Sequence, residues 1–364
     1  MYVCGLIKME RTLASIENIL ELNPIPGAEK IEVAKIKGWN VVVKKGEFDV
    51  GDKVVYCEVD SILPERPEFE FLKDKHYRIK TVKLRGQVSQ GICFPLDVLN
   101  SGNWKLPDDF EVPPFKIDEL EPGFDVTGIL GVTKYEKPIP VSLRGRMRGP
   151  ISRLAVPKTD EMRVQNIPDV LERHKGKTLY ITEKIDGTSM SCYIDPETGL
   201  HVCSRNVDLA PDFEHKWNGN SYWAYVNEYN IEEILKQMGG TIAIQGELFG
   251  KGIQDSKYKI PDIRYRVFNM WDMVNHCYLD IATMKDAVDT FGLGNDFLVP
   301  YLGEIELNHT VDDLLQLADG TSTISDVPRE GLVFRTLTEE TDPTLGRLSF
   351  KAVSNKFLLK HGDD

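Results

Sequence analysis

The feature that most constrains this chain is a series of short β-branched and aromatic runs crowded into residues 1–98. Residues 31–36, 40–44, 53–59, 77–84 and 91–94 carry side chains that suit a pleated, half-buried surface. Pro26-Gly27, Gly38, Gly46, Val50-Gly51-Asp52 and Gly86 stand between them and turn the chain. Strands this short leave edges that must be closed or covered, and a small closed barrel does so within one compact unit.

An OB-fold is a five-stranded barrel of this kind, and it commonly binds single-stranded nucleic acid through basic and aromatic residues on an open face. Alternation along 77–84 would place Arg78 and Lys80 on one face, so both are candidate nucleic-acid contacts. Residues 1–98 are therefore expected to form an OB-fold domain that binds nucleic acid. Residues 99–150 hold Pro107, Pro113-Pro114, Pro122-Gly123, Pro138 and Pro140, a composition expected for a partly ordered connector. Its end carries Arg144, Arg146 and Arg148, a second basic cluster that could meet nucleic acid. Residues 151–364 mix strands (178–183, 188–194, 201–204, 241–249, 265–273, 331–335, 348–352) with helices (222–238, 283–291, 311–318, 354–360). Two or three strands between successive helices predict an α+β domain and not a doubly wound sheet.

The formal net charge of −13 excludes a protein that coats nucleic acid by charge alone, so any RNA contact must come from local basic clusters. No apolar run approaches the ~20 residues of a membrane span. The first ten residues lack the apolar core of a secretion signal. Six cysteines, at 4, 57, 93, 192, 203 and 277, form no C-x-x-C pair. That pattern disfavours zinc and suits free thiols, so a cytoplasmic, reducing location is expected. There is no G-x-x-x-x-G-K-[ST] loop, and a nucleotide would have to be held by another device.

Such a device is legible around Lys184-Ile185-Asp186-Gly187, a tight turn between two predicted strands. It can present an amine at a pocket mouth, with a carboxylate beside it and a glycine that admits a ligand close to the backbone. Five further pieces follow in order: Arg205 after one strand, Glu247 in Gln245-Gly246-Glu247, Phe268 in an aromatic strand, Glu330 before Gly331, and Lys351 in Ser349-Phe350-Lys351. Together they offer a nucleophile, cations for phosphates, carboxylates for a metal and an aromatic face for a base.

The order and spacing of these pieces resemble the covalent nucleotidyltransferase superfamily of polynucleotide ligases and mRNA capping enzymes. Within it the chain is most similar to ATP-dependent RNA ligases with an OB domain ahead of a nucleotidyltransferase domain built of antiparallel sheets flanked by helices. The stretches 22–33 and 50–55 also resemble tRNA-binding OB modules. The resemblance implies that Lys184 attacks the α-phosphorus of ATP to form lysyl-AMP. It implies that Phe268 stacks on adenine, that Glu183 helps recognise the base, and that Asp186 and Gly187 belong to the same nucleotide site. Arg163, Arg205 and Lys351 would meet the phosphates, and Asp186, Glu247 and Glu330 would hold Mg²⁺ or Mn²⁺. The implied partner is RNA with 3′-OH and 5′-phosphate ends, sealed by a protein expected to be monomeric. A free lysine has a pKa of about 10.4, so the site must favour the neutral amine, which nearby cations would do. One departure stands out: related ligases often carry K-x-K in the last motif, whereas Lys351 is followed by Ala352 and Val353, with Lys356 the next lysine. A DNA ligase or capping guanylyltransferase is the alternative enzyme, and the barrel-first order weighs against capping. A non-catalytic RNA-binding module would leave the lysine and carboxylates unexplained.

Overall fold

The computed structural model describes residues 11–100, 117–136, 146–153, 155–211 and 220–362. Two compact units emerge. Among the described residues, one holds 11–136, 164–169 and 355–362, and the other holds 146–163 and 170–354.

The first unit is built from small antiparallel sheets. Glu21–Pro24, Ile31–Ile36 and Trp39–Lys44 form one, and Ala14–Asn18, Lys53–Cys57 and Ile92–Phe94 form another. Period-two patterning works in Trp39–Lys44, where Trp39, Val41 and Val43 are buried and Lys44 is exposed. Ile16, Ile36, Trp39, Val54, Tyr56 and Phe69 are fully buried at the centre. The strand Glu21–Pro24 was not legible in the sequence, because it is mostly exposed and ends on a proline.

Two expectations for this unit are corrected. Residues 77–84 do not form one alternating strand. His76 and Tyr77 have φ of 52° and 57°, and regular pairing begins only at Val82–Leu84. Tyr77, Arg78 and Ile79 are buried in succession, so Arg78 and Lys80 do not share an exposed face. Residues 117–136 are also more than a connector. Leu120, Val126, Ile129, Leu130 and Val132 join the barrel core, and Thr133–Lys134 pairs with Ser61–Ile62. Pro122 occupies an exposed turn there, which is why proline content misled the reading of the whole stretch.

The second unit contains two sheets. The seven-stranded sheet runs Met147–Pro150, Val207–Leu209, Gly199–Cys203, Thr188–Asp195, Ile242–Gly250, Ile263–Asp272, Cys277–Tyr278. The five-stranded sheet runs Met162–Arg163, Ser349–Val353, Gly331–Thr336, Thr178–Lys184, Tyr301–Glu306. Pairing is antiparallel except for Met162–Arg163, which lies parallel to Ser349–Val353. Helices Ser221–Glu228, Ile231–Gln237, Ile281–Thr290 and Val311–Ala318 accompany the sheets. The single helix expected at 222–238 is two helices, because Asn230 takes a left-handed φ of 49° between them. Among the described residues no helix is long and apolar enough to cross a membrane.

Candidate functional site

The chain leaves the five-stranded sheet at Lys184 and enters the seven-stranded sheet at Thr188. Ile185-Asp186-Gly187 is therefore a bridge between sheets, and it can gather side chains from both. Three hydrogen-bonded or packed neighbours fix it. The Asp186 amide donates to the Tyr258 hydroxyl at 2.8 Å, Ile185 is buried against Phe249 and Tyr258, and Thr188 shares a 2.7 Å hydrogen bond with Tyr222. Gly187 has a different purpose from the one its motif suggests. A Cβ there would meet Leu248 O at 2.4 Å, Phe249 Cβ at 2.9 Å and Glu247 Cγ at 3.1 Å. The close approach that requires glycine is that of the Ile242–Gly250 strand, and it sets Glu247 beside the lysine turn.

Register places the remaining groups of the five-stranded sheet. Thr182 faces Val333, Val333 faces Lys351, and Lys351 faces Arg163. Paired residues project on the same side, and so do residues two apart in a strand, so Lys184, Lys351 and Arg163 share one face. Lys184 itself lies opposite Gly331, directly after Glu330. Lys184 Nζ donates to Glu330 Oε1 at 2.6 Å, and the two side chains are 26% and 15% exposed. Glu247 and Asp186 act on the same amine.

The electrostatics follow from that crowding. Burial opposes the charge on Lys184, but Glu330, Glu247 and Asp186 outweigh it and raise its pKa above the ordinary lysine value. Burial pushes Glu247 up to about 8; Lys184 pulls it down, while Glu330 and Asp186 push it higher. The expectation that the site favours a neutral amine is thus not met by the protein groups alone. Glu330 Oε2 is buried without a hydrogen-bond partner. Among the described residues no three His, Cys, Asp or Glu side chains cluster tightly enough to chelate an ion directly. An orphaned carboxylate oxygen beside two further carboxylates suits a cation that keeps its waters, as Mg²⁺ and Mn²⁺ sites commonly do.

Phe268 sits in a β-bulge. Gln245 pairs with Asn269 and Gly246 with Val267, so Phe268 is the extra residue, and it is only partly buried between the buried Val267 and Asn269. Its carbonyl accepts a 2.7 Å hydrogen bond from Arg335 Nη1. Arg335 is itself buried, and it also donates to Ser349 Oγ at 3.1 Å and Glu161 Oε1 at 3.0 Å. One guanidinium thus ties the bulge of one sheet to a strand of the other. Neither Arg335 nor Tyr258 was singled out from the sequence. Arg335 reads as an ordinary strand residue, and Tyr258 lies in a turn-rich stretch without periodicity.

Other expected residues are more scattered. Arg205, in the turn after Gly199–Cys203, is half-exposed and pairs with Asp160. Glu183 is fully buried, and its oxygens accept hydrogen bonds from Ser322 and Thr323, so its carboxylate is engaged within the protein. Arg78 is committed to the barrel: it pairs with Asp60 at 3.3 Å and lies 3.5 Å from the Tyr135 ring centroid. Lys80 is exposed. Arg146 and Arg148 lie at the sheet edge, where Arg148 Nη1 donates to Leu200 O at 3.1 Å; Arg144 lies outside the described residues. Lys356 is exposed on the Asn355–His361 helix, which groups with the barrel unit and not with Lys351. A cavity of about 330 Å³ lined by Leu63, Lys73, His76 and Tyr77 among others belongs to the barrel unit and includes none of the candidate residues.

Comparison with known proteins bears on both units. An OB-fold domain model matches residues 13–96, and an RNA ligase family model matches residues 177–353. No curated protein sequence matches the chain. Among solved structures, Naegleria gruberi RNA ligase with PPi is 35% identical, covers 98% of this chain and 100% of its own, and superposes with a TM-score of 0.81. A lysine-to-alanine variant of that ligase with ATP and Mn is also 35% identical, covering 97% and 100% of the two chains at a TM-score of 0.81. A glutamate-to-alanine variant with AMP and Mn gives 35% identity, 97% and 100% coverage and a TM-score of 0.80. Identity at this level extends through both the barrel and the two-sheet unit, and the chain belongs to the RNA ligase family.

Proposed function

We propose that the chain seals RNA ends with ATP, using Lys184 as the nucleophile. The observation that carries this reading is the Lys184–Glu330 contact at 2.6 Å, set at the bridge between sheets with Glu247 and Asp186 acting on the same amine. The solved relatives with ATP, AMP and Mn support ATP as substrate and a divalent metal as cofactor.

In this reading neutral Lys184 Nζ attacks the α-phosphorus of ATP. A P–N bond forms, the bond to the bridging oxygen breaks, and pyrophosphate leaves. Lys351 and Arg163, on the same sheet face, and Arg205 stabilise the phosphate charge as it shifts. Phe268 offers its partly exposed ring to adenine. Glu330, Glu247 and Asp186 would hold hydrated Mg²⁺ or Mn²⁺, which supplies positive charge at the phosphates. An RNA 5′-phosphate oxygen then displaces Lys184 from the adenylate, and the lysine regains its proton. Finally the 3′-OH attacks the activated phosphate, a phosphodiester forms and AMP leaves.

The barrel unit and the Met147–Pro150 sheet edge would grip RNA, with Lys80, Arg146 and Arg148 as contacts. Among the described residues the cysteines are free, which supports a reducing, cytoplasmic setting.

The test is incubation with α-labelled ATP and Mg²⁺ or Mn²⁺, followed by denaturing electrophoresis. The expected result is a labelled adduct that Lys184→Ala abolishes. Retention of the adduct in that variant, or labelling by GTP and not ATP, would overturn the reading. A sealing assay on nicked duplexes with RNA or DNA at each side would then define the ends.

A further inference from the structure

The cavity in the barrel unit takes no part in the chemistry at Lys184. It encloses about 330 Å³, at the small end of the range for pockets that hold a single small molecule. Three segments close it. Ser61–Ile62 pairs with Thr133–Lys134, and the Leu63 amide donates to Tyr77 O at 3.0 Å. Leu63, Pro64 and Tyr77 give the cavity apolar surface, and the exposed Glu65, Lys73, His76 and Thr133 give it a polar rim.

Its shape depends on an uncommon backbone. His76 and Tyr77 follow one another with φ of 52° and 57°, a left-handed pair that side chains with a Cβ enter only at a cost. Local bonds hold the pair in place. The His76 amide donates to Lys73 O at 2.9 Å, the Tyr77 amide donates to Leu72 O at 3.0 Å, and the Tyr77 hydroxyl donates to Glu70 Oε2 at 3.1 Å. Strain of this kind persists only where the surroundings enforce it, and both strained residues line the cavity.

Charge decides what the cavity can take. Over residues 65–76, Glu65, Glu68, Glu70 and Asp74 stand against Arg66, Lys73 and Lys75, so the stretch offers no positive field to a phosphate. Lys73 Nζ already donates to Glu70 at 2.7 Å, and Arg66 lies 3.4 Å from Glu68. A neutral ring with a polar edge fits better, since its faces suit the apolar surface and its edge suits a rim that can both donate and accept. In RNA a base offers face and edge together only when it is unpaired and unstacked. Phe71, two residues before Lys73, is 63% exposed and offers a stacking surface for an adjoining base.

We propose that this cavity takes one unpaired base of the RNA substrate, with Phe71 stacking on a neighbouring base. The inference rests on the RNA-sealing reading above and deepens it: the RNA carries a single-stranded segment that the barrel unit holds by its bases.

The experiment is fluorescence anisotropy of full-length protein with a short labelled RNA strand, free and annealed to its complement, comparing wild type with Phe71→Ala, His76→Gly, Thr133→Trp and Lys73→Ala. Phe71→Ala, His76→Gly and Thr133→Trp, the last of which fills the cavity from its rim, are each expected to weaken binding of the free strand about tenfold and to change duplex binding little. Glycine relieves the left-handed strain, so His76→Gly should melt no lower than wild type, and its loss of binding cannot be unfolding. Lys73→Ala should leave the salt dependence of binding as it is, because no phosphate is held there. Should Thr133→Trp fail to fold, Phe71→Ala carries the same expectation from an exposed position. Sealing of RNA ends by the wild type tests the parent reading separately. If sealing occurs, the cavity proposal alone falls on any of four results: no binding of the free strand by the wild type, unchanged binding in the folded variants, equal losses on free strand and duplex, or a salt slope that drops by about one phosphate contact in Lys73→Ala.

Discussion

Gly187→Ala gives the sharpest test of how the lysine turn is built. The new Cβ would lie 2.4 Å from Leu248 O, about 1 Å inside the onset of ordinary contact, and 2.9 Å from Phe249 Cβ. The obstacle is mainly backbone, so the Ile242–Gly250 strand and the turn must separate by most of that distance. Overpacking of this kind costs about 1–3 kcal/mol. Glu247 travels with the strand, since its own Cγ is 3.1 Å from the same point. A displacement near 1 Å in a catalytic group lowers rate about a hundredfold. Urea unfolding and single-turnover labelling by ATP should therefore both change: stability falls by about 1–3 kcal/mol, and the adduct forms about a hundredfold more slowly. If glycine is there to admit a ligand, stability would be untouched and only nucleotide affinity would suffer. That outcome would refute the strand-packing argument.

Asp342 should govern acid stability. Its buried side chain accepts from Arg173, His174 and the amides of Thr344 and Leu345, and although burial opposes ionisation, these partners hold its pKa far below the carboxylate range. Its contribution is present above the unfolded value of about 3.9 and is lost as pH falls below it. Asp342→Asn should cost about 2–4 kcal/mol at pH 7 by urea unfolding and clearly less at pH 2, where the contribution is part lost; an equal cost at both would exclude the linkage. Adduct formation should accelerate with pH through about 8, because Lys184 is held protonated and Glu247 loses its proton near there. Glu247→Gln should remove the inflection near 8, and a bend that persists in that variant belongs to another group. Arg78→Met should lower barrel stability by about 2–4 kcal/mol, since it removes the cation paired with Asp60 and stacked on Tyr135. A variant with normal melting and no RNA sealing would return Arg78 to RNA binding.

Legibility differed by the range of the forces involved. The strand around Lys184 and the helix at 311–318 were readable because periodicity and capping are local; Thr310 and Asp313 form a reciprocal cap at that helix. The order Lys184, Glu247, Phe268, Glu330, Lys351 was readable as a set, and register then puts Lys351 and Arg163 on the face of Lys184. Contacts closed by distant segments were not readable. Arg78 looked like a surface cation because Asp60 and Tyr135 are remote in sequence. The burial of the Glu183 carboxylate was hidden because Ser322 and Thr323 come about 140 residues later. Residues 120–132 looked like linker because their buried apolar positions are separated by turns. In each case a tertiary partner overrode a local pattern that was read correctly as far as it went.

The same carboxylate governs both states of the nucleophile. Glu330 holds the Lys184 ammonium at 2.6 Å with one oxygen and leaves the other buried without a partner. While that contact persists, the amine's lone pair is occupied by its proton and attack is impossible. Weakening the pair by removing the charge, as in Glu330→Gln, would lower the lysine pKa toward neutrality and so enlarge the nucleophilic fraction. It would also remove a carboxylate from the set formed with Glu247 and Asp186. The two effects pull the adduct rate in opposite directions. If cation binding dominates, Glu330→Gln is slow at every pH. If release of the amine dominates, the variant overtakes the wild type below neutrality. The first outcome is expected, because Glu330→Gln takes away one of the three carboxylates proposed to hold the cation.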